Sequence, residues 1–240
     1  MKIALIGYGK MGKAIDAIAT AKGHEVILRI DADSLQLLEK EHLGQADVAI
    51  EFTTPENAYH NILKCFDAKV PVVSGTTGWL DKLPEVESIC REKGGAFLHT
   101  TNFSIGVNIF FEVNKKLAAL MATQPQYEVR MEEIHHTQKK DAPSGTAITL
   151  AEQLLAQVLR KKNWVNHESS EPAELPIISK RIDPAPGTHS ITYTSPIDDI
   201  TITHTAHSRE GFAAGAVVAA EWLKGKTGIF SMKEVLGLQG

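Results

Sequence analysis

The sequence predicts an α/β protein in which a doubly wound parallel sheet is joined to a second, α+β domain with a mixed sheet. Strand and helix patterns alternate over the first hundred residues, and a glycine-rich turn follows the first strand. Strand-like runs rich in β-branched residues then fill residues 176–208. The 240 residues are enough for two modest domains, which we place at 1–103 with 212–240 and at 104–211.

The first domain begins with "KIALI", a short apolar strand of the kind that is covered on both faces. Further strands are predicted at "HEVILRID", "ADVAIEF", "VPVVSG" and "AFLHTTN". Helices are predicted between them, near residues 10–22, 34–41, 56–68 and 81–93. This alternation indicates parallel strands with right-handed crossovers.

The second domain starts with a helix near 105–122 and a strand at "YEVRMEEIH". A helix near 145–162 follows, with Leu159 at the end of its apolar face, and then a polar stretch at 163–174. Three strand-like runs, "PIISKRID", "THSITYTS" and "DITITHTAHS", are predicted to form antiparallel hairpins. The final segment, "GFAAGAVVAAEWLKG", is apolar almost all round, so we expect a buried helix that returns to the first domain.

Composition excludes several classes of function. A formal net charge of -4 argues against a general nucleic-acid surface. No apolar run approaches the roughly 18 residues of a membrane span, and the N-terminus enters a glycine turn instead of continuing as a signal peptide. Cys65 and Cys90 form no C-x-x-C pair. We therefore expect a cytoplasmic protein that binds neither nucleic acid nor membrane.

The turn "IGYGKMG" places Gly7, Gly9 and Gly12 between a strand and a helix, as in G-x-G-x-x-G. Such glycines allow close backbone approach, and a helix N-terminus attracts a pyrophosphate. The alternative is a glycine turn without a ligand. Asp31 follows the second strand, where an acidic residue binds ribose hydroxyls, and no Lys or Arg comes after it. This favours NADH over NADPH, although Lys10 and Arg29 could soften the preference.

Two further segments, "EFTTP" and "SGTTGW", follow the third and fourth strands. Ligands of open α/β sheets bind at the carboxyl ends of the strands. Their small hydroxyl and glycine residues leave room for a ribose and a nicotinamide, although ordinary turn chemistry explains them equally well.

The most crowded stretch is "EEIHHTQKKDAPSGTA", residues 132–147. Ser144 is a plausible N-cap, and a helix start attracts an anion. His135 and His136 should face opposite sides of a strand, and a histidine or Lys139 could supply a proton. Structural histidines, a solvated lysine pair and a simple cap are the alternatives. We predict no metal site, because adjacent imidazoles lack the usual spacing and no third ligand is evident.

The same stretch resembles the signature of the 4-hydroxy-tetrahydrodipicolinate (dihydrodipicolinate) reductase family, E-x-H-H-x-x-K-x-D-x-P-S-G-T-A, at every fixed position. "GKMG", "EFTTPE", "SGTTGW" and "TNFSIGVN" extend the resemblance over most of the chain. The family turn is usually G-x-x-G-R-M-G. Here it is one residue shorter with Lys10 in place of Arg, which makes Tyr8 a candidate neighbour of the cofactor.

The resemblance implies a Rossmann-like domain plus a mixed α+β domain that assembles as a homotetramer through its sheets. It also implies reduction of a cyclic unsaturated dicarboxylate to tetrahydrodipicolinate by NADH or NADPH, in lysine and diaminopimelate synthesis. His135 and Lys139 correspond to the catalytic pair, and Arg209 to an arginine near the domain junction. Residues matching the family's contacts to the substrate carboxylates are His136, Lys139, Ser144, Gly145 and Thr146. Together, the fingerprint and the resemblance give these cofactor-binding residues: Gly7, Tyr8, Gly9, Lys10, Met11, Gly12, Asp31, Phe52, Gly75, Thr76, Thr77, Thr101, Asn102 and Phe103.

Two other functions compete with the reductase. One is a different nicotinamide-dependent dehydrogenase of similar build that acts on another small acid. The other is a non-catalytic NAD-sensing module, which would have no use for His135 and Lys139 beside an anion site.

Overall fold

The structure, a computed structural model, describes residues 1–208 and 210–238 and divides the chain into two units. One unit comprises Met1–Ile105 and Glu210–Gly240, and the other comprises Gly106–Arg209. The strands are β1 Lys2–Ile6, β2 Glu25–Ile30, β3 Val48–Glu51, β4 Val72–Ser74, β5 Ala96–His99, β6 Glu128–His135, β7 Asn163–Val165, β8 Glu174–Arg181, β9 Gly187–Thr194, β10 Asp199–Ala206 and β11 Gly228–Phe230. The α-helices are α1 Lys10–Ala21, α2 Lys40–Leu43, α3 Pro55–Asp67, α4 Leu83–Glu92, α5 Ile105–Met121, α6 Gly145–Leu155, α7 Glu210–Leu223 and α8 Met232–Leu236.

Within the described part of the first unit, six strands form a parallel sheet in the order β11-β5-β4-β3-β1-β2. Strand β1 shows why its sequence is apolar throughout. Ile3 and Leu5 join the core that includes α1 and α7, whereas Ala4 and Ile6 join the core that includes α3 and α4. Helices therefore cover both faces of the sheet, which confirms the predicted doubly wound fold.

Helix α7 packs against α1 and the parallel sheet, and much of its surface is buried. Gly215 explains how closely it approaches the chain after β5. A Cβ at this position would lie 1.8 Å from the carbonyl oxygen of Phe103, so only glycine fits.

The second unit contains a mixed sheet in the order β10-β9-β6-β8-β7. Strand β9 pairs antiparallel with both β6 and β10, whereas β8 pairs parallel with β6 and β7. The predicted hairpin is thus correct for β9 and β10 but wrong for β8. Between β6 and β8 the chain passes through α6, and a parallel pair requires such a crossover.

Other segments also differ from the sequence prediction. Helix α6 ends at Leu155 instead of near 162, and the Leu159 side chain is exposed. Beyond it the chain turns so that the Arg160 guanidinium donates to the carbonyl oxygens of Met121, Ala122 and Tyr127. These tertiary hydrogen bonds outweigh the local helical pattern.

Short elements were the hardest to predict. The helix expected at 34–41 is a 3₁₀ helix, Ala32–Leu38, followed by α2. Strand β7 lies in the polar stretch, and β11 and α8 follow the last predicted helix. Elements this short contain too few residues for a hydrophobic period to identify them. Among the described residues, no helix has the length and apolar character needed to cross a membrane.

Candidate active site

In the glycine turn after β1, two positions have no room for a side chain. Gly7 has φ +95°, and a Cβ there would lie 1.9 Å from the Phe52 carbonyl oxygen. A Cβ at Gly12 would lie 2.2 Å from the carbonyl oxygen of Gly7. The turn therefore holds the start of α1 against the ends of β1 and β3.

Gly9 is the N-cap of α1 and offers no side-chain cap, and a Cβ there would meet nothing within 4 Å. Lys10 is exposed, and Met11 packs its side chain against the core. The helix start thus combines a cation with an uncapped, sterically open turn, which suits an anion.

Asp31 lies on the surface directly after β2, where the sequence placed it. One of its carboxylate oxygens accepts from the backbone N–H of Ala32 at 2.9 Å, and the Asp31 N–H donates to the Ser34 hydroxyl at 2.8 Å. This capping box fixes the carboxylate at the carboxyl edge of the sheet.

Tyr8 belongs to a polar cluster that the sequence did not reveal. Its hydroxyl donates to Asp16 at 2.5 Å, and Arg29 forms two hydrogen bonds with the same carboxylate, at 2.6 and 3.0 Å. The hydrogen bond from Arg29 holds the pKa of Asp16 below its ordinary value. Because Asp16 neutralises it, Arg29 offers little free positive charge beside Asp31.

Beneath the carboxyl edge of the first sheet lies Glu51, a fully buried carboxylate at the end of β3. It accepts from the hydroxyl and backbone N–H of Thr53, from the Ser74 hydroxyl at 2.6 Å and from the Thr76 hydroxyl at 2.8 Å. Thr76 also accepts from the Thr53 N–H at 2.8 Å. Glu51 thereby ties the two loops that carry "EFTTP" and "SGTTGW" together.

The predicted nicotinamide residues gather around two aromatic rings. Phe52 and Phe103 have ring centroids 5.5 Å apart, and a Cβ at Gly75 would lie 2.2 Å from the Phe52 ring. Asn102 is buried and its side chain accepts from the Ser104 N–H, while Thr77 and Thr101 are exposed. The structure thus brings the "EFTTP", "SGTTGW" and "TNF" loops together at one edge of the parallel sheet.

In the second unit, His135 ends β6 as a buried residue, and His136 follows it half-buried. Nδ1 of His135 lies 3.2 Å from a carboxylate oxygen of Glu133, two residues earlier on the same face of the strand. His136 lies instead among Gln138 and residues 183–186. The two imidazoles therefore face different surroundings, as strand alternation predicts.

Glu133 is the centre of the buried cluster around His135. The Ser144 N–H donates to it, 3.2 Å from each oxygen, and the Arg181 guanidinium donates at 3.1 Å. Burial raises the pKa of Glu133, but its hydrogen-bonding neighbours, His135, Ser144, Ser179 and Arg181, outweigh burial and hold the pKa well below the ordinary value. Glu133 is therefore a buried anion at neutral pH.

His189, on β9, completes this cluster. Its Nε2 lies 3.1 Å from the Ser144 hydroxyl, and its ring packs edge-on against His135 with centroids 5.1 Å apart. Burial, assisted by the charge of His135, lowers the pKa of His189 to about 4. His189 is thus neutral at pH 7.

Donor atoms of Glu133, His135 and His189 lie within 4.8 Å of one another, so the structure supplies the third group that the sequence lacked. Arg181 and the Ser144 N–H already occupy the Glu133 carboxylate, however. A guanidinium beside a cation is unfavourable, so we interpret the cluster as a hydrogen-bonding group.

Ser144 caps α6 by accepting from the Ala147 N–H at 3.2 Å, and Gly145 and Thr146 form the first turn of that helix. Lys139 lies in the loop before it, with its ammonium 2.9 Å from Asp141. The hydrogen bond from Lys139 holds the pKa of Asp141 below its ordinary value. The five predicted substrate-binding residues thus belong to one loop and one helix start, whereas Arg209 lies outside the described residues.

Sequence reasoning missed Glu51, Glu133, Arg181 and His189. A period of two along β6 places Glu133 on the face of His135, so the sequence held a usable signal for it. Arg181 and His189 come from later strands of the sheet. No local pattern could assign them to this site.

Comparisons with known proteins agree with this architecture. The family models for the N-terminus and the C-terminus of dihydrodipicolinate reductase match residues 1–103 and 106–236. A 4-hydroxy-tetrahydrodipicolinate reductase from Christiangramia forsetii is 52% identical over 98% of each chain. Its counterpart from Neisseria meningitidis serogroup A is 36% identical, over 82% of this chain and 74% of its own.

Among solved structures, the dipicolinate-bound dihydrodipicolinate reductase from Paenisporosarcina sp. TG-14 has a TM-score of 0.76. It is 23% identical, over 96% of this chain and 97% of its own, and this similarity supports the fold. The family models and the relatives together cover nearly every residue that forms the two sheets. The chain therefore belongs to the dihydrodipicolinate reductase family.

Proposed function

We propose that this oxidoreductase reduces 4-hydroxy-tetrahydrodipicolinate, by way of dihydrodipicolinate, to tetrahydrodipicolinate with NAD(P)H, in lysine and diaminopimelate biosynthesis. The observation that carries this proposal is the match of both family models together with 52% identity to a named reductase over 98% of the chain. In this proposal, residues 1–103 with 212–240 bind the dinucleotide, and residues 104–211 bind the substrate and form the oligomer.

The residues of the first unit fit a nicotinamide dinucleotide. Gly7 and Gly12 leave no room for side chains, and the uncapped start of α1 presents backbone N–H groups to a pyrophosphate. A bound NAD(P)H supplies the hydride. The chain's own contribution is to hold the loops around Phe52 and Gly75 in place through the Glu51 hydrogen bonds.

NADH is the preferred cofactor in this proposal. Asp31 presents a carboxylate at the ribose position, and the nearby guanidinium of Arg29 is already neutralised by Asp16. A 2′-phosphate would therefore meet net negative charge, whereas ribose hydroxyls would meet an acceptor.

The second unit binds a small dicarboxylate. The start of α6 at Ser144, Gly145 and Thr146 offers an anion site, and Lys139 and His136 add positive or donor groups from the same loop. The Paenisporosarcina enzyme was solved with dipicolinate, a ligand of this chemical class.

Lys139 or His135 donates the proton that completes the reduction. The Lys139 ammonium lies 2.9 Å from a carboxylate oxygen of Asp141, and Glu133 faces one ring nitrogen of His135. Histidine and lysine are both side chains that enzymes use as general acids.

The oligomer is a homotetramer built through the sheet of the second unit, in the cytoplasm. Support comes from the edge strand β10 and its approach, where Ile197 and Ile200 are exposed large apolar residues.

The test is an assay of NADH oxidation with substrate generated in situ from pyruvate and aspartate semialdehyde by the preceding synthase, with NADPH in parallel. Turnover with NADH at least equal to that with NADPH supports the reaction and the Asp31 argument. Turnover mainly with NADPH would retain the reaction and overturn the cofactor preference. Cofactor binding without turnover would favour another dehydrogenase or a sensor.

A further inference from the structure

The buried carboxylate of Glu133 contacts two parts of the site at once. One of its oxygens lies 3.2 Å from Nδ1 of His135, and both oxygens lie 3.2 Å from the Ser144 N–H. His135 is a candidate acid, and Ser144 opens the helix that binds the anion. A single side chain thus links the proton donor to the carboxylate-binding turn.

Glu133 is itself fixed. It is only 1% exposed, and Arg181 donates to it at 3.1 Å while also donating to the Asp141 carbonyl oxygen at 2.6 Å. Arg181 therefore ties Glu133 to the loop that carries Lys139. A carboxylate that must accept from an amide and a guanidinium has little freedom to rotate.

The opposite edge of the His135 ring faces Gly187, the first residue of β9. A Cβ at this position would lie 3.1 Å from Nε2 and 3.3 Å from Cδ2 of His135. A side chain there would press on the Nε2 edge of the imidazole, so glycine leaves that edge uncovered.

We propose that Glu133 is a positioning residue that fixes the His135 imidazole with its Nδ1–H toward the carboxylate and its Nε2 toward Gly187. Nε2 then takes up a proton from solvent, and the resulting imidazolium gives that proton to the substrate and returns to the neutral Nδ1–H form, while glycine at position 187 places no side chain against Nε2. A carboxylate oxygen 3.2 Å from Nδ1 favours the tautomer with the proton on that nitrogen, which leaves Nε2 as the ring atom that can gain or lose a proton. The low pKa of Glu133 makes it an anion on the Nδ1 side of the His135 ring. The other buried neighbour of that ring, His189, is neutral at pH 7 and adds no charge.

This inference rests on the proposed function of His135, so the first experiment tests that role separately. The variant His135→Asn should lower kcat in the coupled assay. Normal kcat in this variant would remove His135 from catalysis, and the positioning proposal would fall with it. A lower kcat supports the role of His135 on which the positioning role of Glu133 rests.

The matched pair is Glu133→Gln and Glu132→Gln, adjacent residues on opposite faces of β6. Glu133→Gln keeps the shape and an acceptor for the Ser144 N–H but loses the charge. We expect kcat to fall by more than about tenfold but by no more than the roughly 10²–10⁴-fold that general acid–base catalysis supplies, with an unchanged KM for NADH. Glu132 pairs with the half-exposed Lys180, so Glu132→Gln should behave as the wild type.

A ring-nitrogen readout keeps the proposal testable if Glu133→Gln folds poorly. In protein labelled with ¹⁵N-histidine, NMR distinguishes the two neutral tautomers of His135, whose signals are assigned with His135→Asn. The proposal expects the Nδ1–H tautomer in the wild type. A wild-type Nε2–H tautomer, or normal kcat in a folded Glu133→Gln variant, would overturn it.

Gly187→Ala tests the other edge of the ring. Gly187 has φ +159°, so Gly187→Ala strains the backbone and also places a methyl group against Nε2 of His135, and kcat should fall. Normal kcat in Gly187→Ala would show that the Nε2 edge is not the reacting one.

Discussion

Each unit contains a buried glutamate near the carboxyl end of an interior strand, but the two carboxylates are held by different chemistry. Glu51 accepts hydrogen bonds from threonine and serine hydroxyls and a backbone N–H, all uncharged donors. Glu133 accepts from the Arg181 guanidinium and the Ser144 N–H and lies beside the imidazole of His135. The first cluster joins two loops, whereas the second joins ionisable side chains to the start of a helix.

The difference separates two ways of building a site. Neutral donors fix loop geometry, and their effect should appear in cofactor affinity. Ionisable partners couple geometry to protonation, so their effect should appear in turnover and in pH dependence. Four predictions test that division, from the largest expected effect to the smallest.

The largest expected effect is a loss of kcat when Lys139 is replaced. Lys139→Ala removes a candidate proton donor and should lower kcat by about 10²–10⁴-fold while NADH affinity is retained. The coupled assay and NADH titration measure both quantities. Lys140→Ala, at the exposed neighbouring lysine, is the control. Near-normal kcat in Lys139→Ala would exclude it as the donor.

The second prediction concerns pH and His189. Its pKa is lowered from an ordinary 6.5 to about 4 by burial and by the charge of His135, so the unfolded chain takes up a proton first. Above about pH 6.5 His189 is neutral in both the folded and the unfolded chain, so the free energy of unfolding is not reduced. As pH falls toward 4, the unfolded chain binds the proton more tightly, and the free energy of unfolding decreases by on the order of 3 kcal/mol.

Urea unfolding at pH 7 and pH 4.5 tests this assignment. His189→Asn should reduce the stability difference between the two pH values, and His167→Asn, at an exposed histidine of the same unit, should not. An unchanged difference in His189→Asn would mean that other groups carry the acid sensitivity.

The third prediction concerns Glu51. Glu51→Gln replaces one acceptor oxygen by a donor, which leaves a buried hydroxyl without its partner and destabilises the protein by about 1–3 kcal/mol. The KM for NADH should rise while kcat at saturating NADH stays close to normal. Glu56→Gln, at an exposed residue of α3, is the control. If kcat fell as in Glu133→Gln, the two carboxylates would not differ in role.

The smallest expected effect is a loss of NADH affinity when the exposed residue Asp31 is replaced. Asp31→Ala removes the predicted ribose acceptor and should weaken NADH binding by roughly tenfold, because a hydrogen bond to a charged group is worth about 1.5–3 kcal/mol and water replaces part of it. NADPH binding should weaken less, as measured by titration of each cofactor. The control is Asp67→Ala, at an exposed residue of the same unit. Equal losses for both cofactors would contradict the ribose assignment.

Local patterns predicted much of the first unit. The apolar run in β1, the spacing of Gly7, Gly9 and Gly12, and the position of Asp31 after β2 all depend on residues close in sequence. Alternating strands and helices are compatible with few topologies, so the parallel sheet could be predicted. The match over residues 132–147 identified the family for the same reason, since its residues are contiguous.

Contacts between distant segments could not be predicted. The parallel pairing of β8 with β6, the early end of α6 at Leu155 and the short β11 depend on tertiary hydrogen bonds. A local pattern records only which residues favour a strand or a helix, and pairing partners are selected by the packed sheet.

The sequence by itself determined which reactive groups the chain carries, and it placed His135, Lys139 and Ser144 in one contiguous segment. Only the tertiary structure decided their surroundings. Arg181 and His189 arrive on other strands to meet Glu133, and Thr76 arrives from a separate loop to meet Glu51. Burial and charge act through space, so the protonation states of Glu133 and His189 are set partly by neighbours that are distant in sequence.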